Sequence, residues 1–133
     1  MSEQMEAFVL LWSDDVERLV TWAHAALGVE ESWRAPDEAG VLEHAELIWG
    51  NSKISVNIKD ERFEGGGFTG LGLQVVDNAT VDRLFAQAVE AGAEVHQAVM
   101  ESVVAYSFTL LDPDRNQWWV HAETGMLDQL RRG

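Results

Sequence analysis

The feature that most constrains this chain is a helical segment that occurs twice. "VERLVTWAHAALGVE" at 16–30 and "VDRLFAQAVEAGAE" at 81–94 read alike, offset by 65 residues at the start and 64 at the end. In the first copy Val16, Leu19, Val20, Ala23 and Leu27 form one apolar stripe, opened by Asp14 or Asp15 and closed by Gly28. In the second, Val81, Leu84, Phe85, Ala88 and Val89 fall at i, i+3, i+4, i+7 and i+8, with Thr80 as N-cap and Gly92 just past the end. One strand-like run precedes each helix, at 7–12 and 70–76. Three follow each: 29–34, 41–49 and 52–59 in the first half, and 93–99, 103–111 and 117–122 in the second. The chain therefore reads as β-α-β-β-β twice, an α+β fold of two tandem βαβββ modules. Its 133 residues suit one domain, with module one at 5–60, a glycine-rich linker at 61–69, module two at 70–124 and a tail at 125–133.

Alternation along the strands assigns their faces, because neighbouring side chains point to opposite sides of a sheet. Ile54, Val56 and Ile58 alternate with Lys53, Ser55, Asn57 and Lys59, and the apolar set should lie under a helix. A two-residue hairpin at Gly50-Asn51 pairs Trp49 with Ser52. Leu47 and Trp49 then join Ile54, while His44, Glu46 and Ile48 share the other face with Ser55 and Asn57. Around "DPDRN" the same logic pairs Leu111 with Gln117. Tyr106, Phe108, Leu110, Trp118 and Val120 face the helix, whereas Ser107, Thr109, Gln117, Trp119 and His121 share the opposite face. Of two adjacent tryptophans, Trp118 is assigned to the core and Trp119 to a polar surface that resembles a site wall.

The repeated module, "HAELIWGNSKISV" at 44–56, "EAGAEV" at 90–95 and above all "FTLLDPDRNQWWV" at 108–120 resemble the vicinal oxygen chelate superfamily of glyoxalase I, bleomycin-resistance proteins and extradiol dioxygenases. Arg115 stands where that turn usually has Gly. The resemblance implies sheets curled around a cleft, helices on the outer face, and in catalytic members a divalent metal held there by His and Glu. It places the metal-ligand positions on Phe8, on Leu71 or Leu73, near Asn57, and on Trp119. An indole, a phenyl and an isobutyl group offer a cation no donor. No metal and no cofactor are therefore expected.

In place of donors, Phe8, Trp12 and Trp119 suggest an aromatic clamp for a flat ligand, each stacked ring contributing about 0.5–1.5 kcal/mol beyond its burial. His44, Glu46, Ser55, Asn57, Ser107, Thr109 and His121 would supply polar contacts. The chain has 23 acidic and 9 basic residues, a net charge of −14, which argues against nucleic acid and would draw a cationic molecule. The first expectation is thus a binding protein that sequesters a cationic or planar antibiotic. The second is a glyoxalase- or dioxygenase-like enzyme on a small oxygenated substrate. It would use His44, Glu46 and His121 as a displaced metal site, or His121 or His44 as a general base. Trp12, Trp33 and Trp119 also suit the interface of a homodimer. Trp22 is open to either role, Trp49 is assigned to core, and His24 and His96 to the surface.

Other classes leave no trace in the residues. There is no cysteine, no P-loop and no G-x-S-x-G elbow. No apolar run approaches the ~20 residues of a membrane helix. "MSEQMEAFVLL" lacks the basic start of a secretory signal, so a cytoplasmic protein is expected, with no membrane partner.

Overall fold

Asp15 and Gly28 bound the first helix. The Asp15 carboxylate accepts a hydrogen bond from the Arg18 amide, satisfying a donor that the first turn leaves free, and Gly28 closes the helix at φ 71°. The computed structural model describes residues 6–60, 69–124, 129 and 131–133. Its elements are β1 (Val9–Ser13), α1 (Val16–Leu27), β2 (Glu30–Pro36), β3 (Leu42–Trp49), β4 (Ser52–Ile58), β5 (Gly70–Gln74), α2 (Asn78–Glu90), β6 (Glu94–Glu101), β7 (Ala105–Leu111) and β8 (Gln117–Glu123). Two β-α-β-β-β modules follow one another, as the repeat requires. Of the expected linker only Thr69 is described, and of the expected tail 125–133 only 129 and 131–133, beyond Thr124.

The second helix ends as expected, with Gly92 just past it at φ 80°, but departs from expectation in its N-cap and in one residue of its stripe. Its N-cap is Asp77, whose carboxylate accepts from both the amide and the hydroxyl of Thr80, at 2.8 and 2.6 Å. Thr80 is therefore the third residue of the helix, and the charged acceptor ahead of it is the stronger cap. Val89 is exposed, although it belongs to the apolar stripe. It lies roughly 80° around the helix from Val81, at the outer margin of the buried face.

Each module makes one four-stranded mixed sheet, in the orders β1-β4-β3-β2 and β5-β8-β7-β6. The parallel pairs β1/β4 and β5/β8 put the first strand of each module at a sheet edge. The hairpin registers are those the alternation implies: Trp49 opposite Ser52, Leu111 opposite Gln117, and Thr109 opposite Trp119. Leu47, Ile54, Val56, Phe108, Leu110, Trp118 and Val120 are all buried with the helix stripes in one hydrophobic core. Trp22 of α1 is partly buried and meets Trp118 edge to face at 5.2 Å, packing against the core of the other module.

The turn after β7 clasps the modules together. Asp112 is buried and accepts from the amides of Asp114 and Asn116, from the Asn116 side chain, and from the Trp118 indole at 2.8 Å. Asn116 accepts in turn from the Thr69 amide. Asp114 reaches across to module one, accepting from Ser13 Oγ at 2.6 Å and the Asp14 amide at 2.9 Å, with Arg18 at 3.6 Å. Arg115 holds φ 70°, a left-handed conformation that glycine adopts without a steric cost, which fits the glycine that the resemblance leads one to expect there.

Candidate functional site

At the opposite end of the same seam the closure is lighter. The short Gly50-Asn51 turn carries no side chain like Asp114. Instead Trp49 Nε1 donates to the carbonyl of Gln74 at 3.1 Å. Beside that bond opens a cavity of about 570 Å³. Its walls come from both modules: residues 7–9 around β1, the β3/β4 hairpin, residues 71–74 of β5, and His121 of β8. Consecutive residues border it on both sides, 71–74 of β5 and 7–9 leading into β1, so both faces of the chain meet the cavity there. β1 and β5 each have a single partner strand among the described residues, which leaves backbone amides and carbonyls toward the cavity.

Of the side chains expected in the site, Phe8 and His121 line this cavity. Glu46 and Ser55 line an adjoining recess of about 160 Å³, shared with Phe8, Lys53 and Glu6. His44 Nδ1 lies 2.9 Å from Asn57 Oδ1, and the Asn57 amide donates to Ser55 Oγ at 3.2 Å, so these three form a network on the sheet. Glu46 accepts from Ser32 Oγ. Trp12 sits opposite Asn57 on the same face. Ser107 and Thr109 are buried in the middle of the second sheet, flanked by His121 and Trp119 on β8, and are not part of the cavity wall.

Trp119 takes the face expected of it but not the clamp geometry. Its ring stacks on His121 at 3.9 Å between centroids and 15° between planes. The stack lies over Gly72 of β5, close enough that a Cβ there would be in van der Waals contact with the indole at 3.4 Å and the imidazole at 3.5 Å. Leu71 and Leu73, the positions matched to a metal-binding histidine, point into the core, so the face of β5 beside Trp119 belongs to Gly72. The alternation within "GLGLQ" carried that information, with glycines on one face and leucines on the other.

His121 is partly buried. Desolvation holds its pKa below the ordinary 6.5, with Glu123 pulling the other way, so the ring is neutral at pH 7. Its Nδ1 is buried and has no hydrogen-bond partner among the described residues. Lys53 is held above its ordinary value, first by a hydrogen bond to Glu6 and then by the charges of Glu6 and Glu46. Trp49, expected in the core, is only partly buried and forms cavity wall as well as seam. Lys53, Gln74 and Gly72 also line the cavity, and sequence reasoning did not select them. For Lys53 the signal existed, since it alternates onto the same face as Ser55.

Metal chemistry finds no donor set here. Phe8, Gly72 and Trp119 have none, and the Asn57 amide is engaged. No group of three or more His, Cys, Asp or Glu side chains among the described residues is arranged to hold an ion. His44, Glu46 and His121 do not come together as such a group among the described residues.

The model of the Glyoxalase/Bleomycin resistance protein/Dioxygenase superfamily matches residues 7–120. The chain belongs to this superfamily. Solved structures agree on the fold of the superfamily member described here. TioX from Micromonospora sp. ML1 is 22% identical with a TM-score of 0.74, over 90% of this chain and 97% of that one. The fosfomycin resistance protein FosX from Listeria monocytogenes, complexed with Mn(II) and sulfate, is 14% identical with a TM-score of 0.70, over 99% and 100%. Lactoylglutathione lyase from Agrobacterium tumefaciens is 16% identical with a TM-score of 0.69, over 90% and 96%. No curated protein matches the chain significantly. No helix among the described residues is long and apolar enough to cross a membrane.

Proposed function

We propose that this chain binds a planar organic molecule, of the antibiotic kind named in its superfamily's description, and protects by sequestration without metal and without altering the ligand. The observation that carries this reading is the substitution pattern on the cleft faces of β1, β5 and β8. There Phe8 lines the cavity, Gly72 lies beneath the Trp119–His121 stack, and none of Phe8, Gly72 and Trp119 carries a metal donor. A mixed wall of rings, strand edges and a few polar groups suits a ligand held by burial with hydrogen bonds at its margin. Isothermal titration against planar antibiotics, cationic ones included, tests it. Binding is expected, weakened roughly tenfold in Phe8→Ala, which loses stacking area, and also in Trp119→Ala, which removes the support of His121. Failure of every planar compound to bind would remove the reading.

One observation favours catalysis instead: His121 is a neutral imidazole on the cavity wall, the form a general base takes. In that reading the bound molecule would lose a proton to His121. A product detected in the titration mixture, absent with His121→Gln, would decide for the enzyme.

A further inference from the structure

The net charge of −14 suggests a cationic ligand, but the cavity wall does not share that sign. Among the described residues, Lys53 is the only charged side chain lining it, and the one titratable neighbour there, His121, carries no charge at pH 7. The surrounding polar groups are Ser52, the Gln74 side chain and strand-edge backbone. Taking this cavity as the binding site proposed above, we infer that its ligand is an aromatic acid, with the ring system against Phe8 and Trp49 and its single anionic group on the Lys53 ammonium.

Lys53 is free to change partners. It pairs with Glu6 at 3.2 Å, but the two side chains are 44% and 70% exposed, so the pair is screened and weak. Glu6 and Glu46 face Lys53 from the adjoining recess and not from the cavity, so Lys53 stands on the boundary between an acidic pocket and an uncharged one. The Lys53 ammonium is paired with Glu6 of the recess, and an anion bound in the cavity would draw it over from that exposed partner. A cation arriving there meets no carboxylate on the described wall. The distant acidic surface acts mainly on the rate of approach, because exposed charges are screened over about 8 Å at physiological salt.

Three probes of one shape and different charge test this by titration: 2-naphthoate, 2-naphthylmethanol and 2-naphthylmethylammonium. Naphthoate should bind roughly tenfold tighter than the ammonium, as a charge-assisted hydrogen bond warrants. Lys53→Met should bring naphthoate down to the level of the alcohol and leave the alcohol unchanged. Equal binding of all three, or a preference for the ammonium, would overturn the aromatic-acid assignment while leaving the binding reading in place. No binding by any of them would count against both.

Discussion

His121 illustrates what single residues contribute. It stacks on Trp119 over a glycine, and burial lowers its pKa below 6.5. The unfolded chain therefore takes up the proton more readily than the folded one. The stability tied to the neutral ring is whole above pH of about 6.5 and is lost as pH falls from there through the folded value. Urea unfolding at pH 7.5 and 5.5 should show a larger loss on acidification in the wild type than in His121→Gln. An equal loss in both would mean that the ring is not desolvated. At this scale the sequence was a good guide to Trp118 and Trp119, because strict alternation leaves adjacent rings no choice of face. It was a poor guide to Lys53, since a lysine in a strand reads as an ordinary solvated charge until something shows that a cavity lies beside it.

Among the elements, the turn at 112–116 has the most consequence for the site. Its Asp114 ties module two to the β1-α1 junction of module one, with the acceptor buried. Asp114→Ala should cost roughly 2–3 kcal/mol in urea unfolding, because the Ser13 hydroxyl and Asp14 amide lose their acceptor in a buried place. Ser13→Ala leaves Asp114 its Asp14 amide and Arg18 partners and should cost about half as much. A neutral Asp114→Ala would show that the modules are held by the core alone. Strand registers were legible because each hairpin has one buried face, and a slip would expose all of it. Helix ends were less so. Asp77 and Thr80 are both good caps, and only the observed pair of bonds to Thr80 ranks them.

The whole molecule joins two similar modules along a seam with unequal ends. One end is sealed by Asp114, and the other, bridged by the Trp49 indole, leaves the cavity. Periodicity could not have located it. Alternation distinguishes the two faces of a strand, but the cavity borders the edges of β1 and β5, and which edges meet depends on how the modules dock. The position of Trp119 at a site usually assigned to a metal-holding carboxylate was legible from the turn motif. Its pairing with His121 was not read there, although two residues in one strand share a face. Likewise the −14 charge describes the surface and not the cavity wall. Metal independence is the central claim, and titration of tag-free, EDTA-treated protein with its tightest-binding planar antibiotic tests it most directly. The dissociation constant should be the same with and without added Mn(II) or Zn(II), with the ligand recovered intact. Binding or turnover that appears only when the metal is restored would contradict it.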